Sequence, residues 1–444
     1  MRQNKTACPP VRLVSDHPAT ENLVFGFDAY AATLAALIAG KTNTTPLALG
    51  IHGDRGAGKT TLMKAIKSRL DGDTLNDAMY YRRCKTVWFQ AWKYNDRDAI
   101  LTALIEALFT AMAADGFFSL ARAKVDTVTR RFDKSSIFAS ISKLAAGVDI
   151  SDFFSGAAFG EELGFSETFQ RFFDDLVWTF LNWRFKLSGQ EKPDDRMGAV
   201  VIFIDDLDRC RPDRIVQILE AITLYMNRSG CIFVIGAESE VLHGALAAAY
   251  GSREGGGLLE KIIPAGFTIP KILPEDFVRL IEAADMDASN ARTLSAHLSI
   301  ILSALEYNPR RFKRLINGLN LLCGLLAEVK VQIGFDKVLA WWMVTRLFGD
   351  LSVDVKDGFQ RLAALREASG LLAEKYPQIP AWQLSPEQFA ALNIPESLYP
   401  CLQCEHLAEI VIELDLTDRQ FRCLSALGGS VGLPGNQQLK ALTV

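Results

Sequence analysis

The sequence predicts an α/β fold. A parallel sheet core occupies residues 21–270, a helical insert interrupts it at about 115–195, and an all-helical C-terminal part follows. Three observations predict this. Short, wholly apolar runs recur at 47–51, 199–204 and 231–235, as strands covered on both faces require. The first two are each followed by apolar residues at helical spacing. From Pro270 onward no strand pattern remains.

Taken in order, residues 1–20 read as an N-terminal arm, and 24–40 as a helix with Tyr30, Leu34 and Ile38 on one face. The run Leu47-Ala48-Leu49-Gly50-Ile51 is a buried strand, and Leu62, Ala65, Ile66 and Leu70 mark a helix beyond it. Between them lies Gly53-Asp54-Arg55-Gly56-Ala57-Gly58-Lys59-Thr60, followed by Thr61. This is the G-x-x-x-x-G-K-[ST] pattern of a phosphate-binding loop, in the strand–loop–helix setting that gives the pattern meaning. Its glycines let the backbone turn sharply and present N–H groups to an anion, and the helix N-terminus points at the same place. Lys59 then reaches the β- and γ-phosphates, and the Thr60 hydroxyl ligates Mg2+.

A further strand is expected at 86–89, ending at Gln90, and a Leu/Ala-rich helix at 99–113. The insert is helical and aromatic-rich, with Phe169, Phe172, Phe173, Val177 and Phe180 read as helix packing. It closes in the polar linker 188–195. Trp88, Trp92, Trp341 and Trp342 read as core residues. Gly255-Gly256-Gly257 is expected to form a flexible loop before Leu258. Residues 271–345 are a helical lid and 346–444 a C-terminal helical region.

The strand at 199–204 ends in Asp205-Asp206-Leu207-Asp208-Arg209. Its first acid sits at the C-terminal tip, where ligands bind in open α/β sheets. Asp205 is therefore the Mg2+-side carboxylate opposite Thr60. Asp206 points differently and is assigned to polarise the attacking water, with Asp208 a competitor for that role. The two motifs together predict nucleoside triphosphate binding. ATP is favoured over GTP because no N-K-x-D base-reading motif follows. Phe25-Gly26-Phe27 either lines an adenine pocket or packs in the core.

These segments resemble the KAP family of P-loop NTPases, and its soluble bacterial-type members in particular. The phosphate loop carries the likeness together with residues 87–94, 204–210 (Ile-Asp-Asp-Leu-Asp-Arg-Cys), 233–238, 259–263 and 308–314. The likeness covers roughly residues 15–325. It implies an ASCE-type sheet with a helical lid, related to the AAA+ and STAND groups. It also implies ATP hydrolysis used as a conformational switch, and some bacterial members of the family act against phages. Gln90 stands where the family usually has Asn, and Glu238 where it usually has Asp. The family often carries transmembrane helices in the insert; this insert has none.

Phosphoryl transfer gains from a cation on the γ-phosphate. Arg310 and Arg311, opening a lid helix with Leu315, Leu319 and Leu322 on its other side, resemble sensor arginines. Arg209, Arg211 and Arg214 are placed to act as a finger on a neighbouring subunit, or else form local salt bridges. Gln90, ending a core strand, is a polar group for the attacking water or a structural cap.

Bulk properties bound the rest. A net charge of −4 from 48 basic and 52 acidic residues gives no electrostatic argument for nucleic acid or an anionic membrane. No apolar run spans a bilayer, no signal peptide is apparent and the eight cysteines are scattered, so a cytoplasmic chain is expected. Cys401, Cys404 and His406 lack a second ligand pair and read as packed thiols. The function expected is an ATPase whose cycle drives homo-oligomer assembly or a partner effector. The alternatives are a nucleotide-dependent scaffold with negligible hydrolysis and a nucleic-acid motor or loader.

Overall fold

The computed structural model describes residues 13–15, 25–93 (73, 74 and 76 apart), 198–225, 229–347 (285 apart) and 358–430. Parts of 107–114 and 177–181 are also described. The chain divides into two compact units, residues 18–270 and residues 1–17 with 271–444.

In the first unit, helix α1 (Phe27–Ala39) precedes strand β1 (Leu47–His52). Helix α2 (Lys59–Asp71), β2 (Arg83–Gln90), β3 (Gly198–Asp205) and α3 (Pro212–Tyr225) follow. Then come β4 (Cys231–Ala237), α4 (Ser239–Tyr250), α5 (Ser252–Ile262) and β5 (Ala265–Thr268). All pairings are parallel and the order is β2-β3-β4-β1-β5, so β4 separates the loop-bearing β1 from the acid-bearing β3. Side chains alternate across each strand. Leu49, Ile51, Ala199, Val201, Phe203, Ile232 and Val234 meet α1 and α2 on one face. Ala48, Val200, Ile202, Ile204, Phe233 and Ile235 meet α3, α4 and α5 on the other. With both faces covered, β3 and β4 are buried throughout, which is why their sequences carry no polar alternation.

The expected strands are present, with β2 extended back to Arg83 through a polar first half suited to a sheet edge. Two readings are corrected. Gly255-Gly256-Gly257 is not a loop but lies within α5. A Cβ at Gly255 would stand 2.7 Å from the Leu246 backbone, so α5 packs at close range on α4 while Leu259 and Ile262 anchor it in the core. That packing outweighs a propensity cost of about 1 kcal/mol per glycine. Trp92 is 44% exposed rather than core, because a 3-10 turn (Ala91–Lys93) carries it past the end of the sheet. The structure also adds β5, an edge strand of four residues, Ala-Gly-Phe-Thr, too short and too mixed to signal a strand in the sequence.

Of the insert, Val177 and Phe180 are buried with Leu108 and Met112 beneath β2 and β3. Phe169, Phe172, Phe173 and the linker lie outside the described residues, as does most of the helix expected at 99–113.

The second unit is helical: α6 (Pro274–Ala283), α7 (Ala288–Ala296), α8 (Leu298–Ala304), α9 (Pro309–Glu328) and α10 (Phe335–Leu347) lead into five further helices between Gly358 and Ser430. Asn308 caps α9, its Oδ1 accepting from the N–H groups of Arg310 and Arg311 at 3.1 and 3.2 Å, and Pro309 takes the first position. Phe312, Leu315, Ile316, Leu319 and Leu322 form its buried stripe, and Phe312 meets Phe277 edge-on. The exposed side binds the N-terminal arm: Asn317 exchanges two hydrogen bonds with the backbone of Val14, and Lys313 donates to Ser15 O. Trp341 and Trp342 are buried, as expected. Among the described residues no helix is long and apolar enough to cross a membrane.

Candidate functional site

The loop after β1 turns through left-handed glycines, Gly56 (φ 95°) and Gly58 (φ 103°), before α2 begins at Lys59. Such φ values are strained for any side chain. At Gly58 space forbids one as well, since a Cβ would lie 2.6 Å from the Phe27 ring. Ala57 N–H donates to Asp54 O at 3.0 Å, closing the loop, and Leu62 N–H donates to Gly58 O, starting the helix. Lys59 is 8% exposed; its Nζ donates to the carbonyls of Gly53 (2.8 Å) and Asp54 (3.3 Å).

Asp205 shares strand parity with Ala199, Val201 and Phe203, the side chains facing α2, so its carboxyl meets the helix there. Thr60 Oγ1 donates to Asp205 Oδ1 at 3.2 Å, and the Asp206 N–H donates to the same oxygen at 2.9 Å. Asp205 is 1% exposed and its Oδ2 is buried without a hydrogen-bond partner. Burial first, then the charges of Asp206 and Asp208, push its pKa up, against the two hydrogen bonds it accepts.

Asp206 adopts a left-handed conformation (φ 58°), which swings the following 3-10 turn (Leu207–Arg209) across the strand tip. The two later acids therefore part company. Asp206 receives Arg209 Nε at 2.9 Å, whereas Asp208 Oδ2 lies 3.4 Å from Lys59 Nζ and its Oδ1 is buried without a partner. Cys210 follows this acidic turn, and burial with the two carboxylates pushes its thiol up to about 11.

The structure thus brings Lys59, Thr60, Asp205 and Asp208 together, with Asp206 one step aside. Gln90 is the register partner of Asp205 on β2. Arg211 lies 3.6 Å from Asp213, as does Arg214, which also donates to Gln217. These are local pairings. Arg310 and Arg311 belong to the helical unit, where Arg311 pairs with Glu306 at 2.9 Å.

Two features escaped the sequence reading. A Cβ at Gly236 would stand 2.4 Å from Met63 Sδ and 3.3 Å from Asp205 Oδ1, so this strand glycine makes room for α2 and the acid together. His52, immediately before the loop, lays its ring over Gly50 and Gly266, with Nδ1 3.3 Å from Ala237 O. The available signal was a glycine inside each apolar run, which marks close approach of another group.

Oxygen ligands and a buried, unpartnered carboxylate oxygen suit Mg2+, which is normally held by one or two carboxylates plus substrate phosphates. Thr60 and Asp205 are the residues that would hold it.

No curated protein matches this chain. Among solved structures it is similar to the Aeropyrum pernix ORC1 protein in complex with DNA, at 14% identity and a TM-score of 0.39, covering 94% of this chain and 86% of that one. It is also similar to the Aeropyrum pernix ORC2 protein (ADPNP-ADP complexes), at 12% identity and 0.37, covering 92% and 96%. Likeness this distant transfers neither DNA nor nucleotide to the present site. The model of the KAP family P-loop domain, in contrast, matches residues 27–326, taking in the loop, the acidic turn and most of α9. Loop, intervening strand and acid-tipped β3 are thus those of a P-loop NTPase, and the chain belongs to the KAP family.

Proposed function

We propose that this chain binds Mg2+–ATP and hydrolyses it, using the cycle as a conformational switch. The observation that carries the reading is the convergence of Lys59 and Thr60 with Asp205 and Asp208, where two carboxylate oxygens are buried without partners. A buried carboxylate oxygen without a partner is costly, and a bound cation with phosphate offsets that cost. When bound, Mg2+ neutralises charge on the phosphates. The glycine-lined loop cradles them and Lys59 exchanges its carbonyl partners and Asp208 for the β- and γ-oxygens. Asp206, oriented by Arg209, faces the water. Phe27 packs on Gly58 and meets Phe25 edge-on at 6.0 Å, and Phe25 rests on the same core, so the pair serves the packing around the loop.

Single-turnover hydrolysis by the full chain tests this: turnover no greater than that of Lys59→Ala would end the ATPase reading. A second reading, a nucleotide-gated scaffold without turnover, draws on the engagement of both later acids, Asp206 by Arg209 and Asp208 by Lys59. It requires ATP binding with no cleavage by the wild-type chain. The output of the switch, assembly of copies or action on a partner effector in anti-phage defence, is proposed from family membership alone. Nucleotide-dependent size in solution tests the assembly part.

A further inference from the structure

We propose that His52 is a positioning residue, tying the end of β4 to the root of the phosphate loop so that the peptide leading into Glu238 is fixed between the two halves of the site. The inference rests on the ATPase reading above.

The topology makes the location matter. β4 lies between β1, which carries the loop, and β3, which carries Asp205. Glu238, the first residue beyond β4, therefore stands between loop and acid. His52 is the register partner of Ala237, and its carbonyl is engaged on the other side, accepting from Ile269 N–H at 2.8 Å. Its side chain adds a separate tie, Nδ1 to Ala237 O.

The ring is accommodated by two glycines. A Cβ at Gly50 would stand 2.2 Å from His52 Nε2, and one at Gly266 3.1 Å from Cδ2 and 3.2 Å from Nε2. A side chain at Gly50 would displace the imidazole, and one at Gly266 would press on it by a few tenths of an ångström. Burial lowers the pKa of His52, Lys59 and His243 nearby lower it further, and the Ala237 carbonyl opposes them. The ring is consequently neutral near pH 7, with one N–H to give. A carbonyl only accepts, so that proton sits on Nδ1 and Nε2 is the bare nitrogen over the glycines. The tautomer, the ring plane and the Ala237 carbonyl are set together.

His52→Leu removes the donor at similar bulk, whereas His52→Asn places an amide nitrogen close to the position of Nδ1. In single-turnover hydrolysis His52→Leu is expected to slow cleavage about tenfold at saturating ATP, with ATP affinity changed less than twofold. His52→Asn is expected to recover at least about half the wild-type rate. Gly266→Ala is expected to slow cleavage in the wild-type background and to add nothing once His52 is Leu. If His52→Leu weakens binding and leaves saturated turnover intact, the ring merely packs. If His52→Asn is as slow as His52→Leu, the hydrogen bond is not the cause; either result overturns the proposal. A wild-type chain without turnover removes the ATPase reading and this inference together. Normal wild-type turnover with His52→Leu unmoved removes the inference alone.

Discussion

Lys59 Nζ and Asp208 Oδ2 stand 3.4 Å apart at the tip of β3, both side chains 9% exposed. A carboxylate and a triphosphate compete for the same ammonium group. Asp208→Asn should therefore tighten ATP binding, by about threefold, and keep substantial turnover. Asp206→Asn should bind ATP normally and lose cleavage by ~100-fold or more. Equilibrium titration and single-turnover assays of both variants check this, and the reverse pattern would exchange the roles of the two acids.

Asp205→Asn should raise the melting temperature of the nucleotide-free chain while abolishing hydrolysis. The charge is opposed by burial and by Asp206 and Asp208, whereas an amide keeps an oxygen for Thr60 and the Asp206 N–H. A gain of about 2–4 °C is expected by calorimetry, together with loss of the Mg2+ dependence of ATP binding. A destabilised variant would show that the acid is structural.

Acidification should act on the core unit through these two groups with opposite signs. The folded pKa of His52 lies below 6.5, so its contribution is complete above pH 6.5 and is lost as pH falls from there through the folded value. The folded pKa of Asp205 lies above 3.8, so stability falls as pH rises from 3.8 through its folded value. Thermal melts of His52→Asn should be flatter than wild type just below pH 6.5, and those of Asp205→Asn flatter above pH 3.8.

Gly236→Ala should destabilise the core by about 1–3 kcal/mol and displace Asp205, since its methyl meets Met63 Sδ and the acid at once. Met63→Ala also costs stability, but the double variant should be less harmful than the two losses added. Strict additivity in denaturant melts would argue against the contact.

Asn308→Ala should cost about 1 kcal/mol, felt in the unfolding of the helical unit rather than of the sheet, because the capped helix α9 belongs to the former. Hydrogen exchange at the first turn of α9 is the direct measurement.

Much of this site was legible in the residues. An acid at the end of a run whose alternate members face α2 has to meet that helix, so the Thr60–Asp205 pairing follows from period-two geometry. The parting of the later acids, Asp206 to Arg209 and Asp208 to Lys59, did not follow, because it depends on one left-handed residue that sequence does not dictate. Local propensity misled at α5, where contact with Leu246 outweighs three glycines. At Trp92, size suggested burial, whereas the chain had already left the sheet. The arrangement around His52 needed three strands in register, which no single segment contains.

The pairing of β2 with β3 has a mechanical consequence. Parallel neighbours force the chain to leave beside Gln90, at the edge where ATP is proposed to sit, and to re-enter at Gly198, at the opposite edge. Across an eight-residue strand those two anchorage points lie roughly 25 Å apart. The crossover is tied to the sheet at both of those points, and Leu108, Met112, Val177 and Phe180 pack into the core between them. A load applied to that crossover is therefore borne by β2 and β3 themselves, at Gln90 beside Asp205 or at Gly198 at the far end of the same pair.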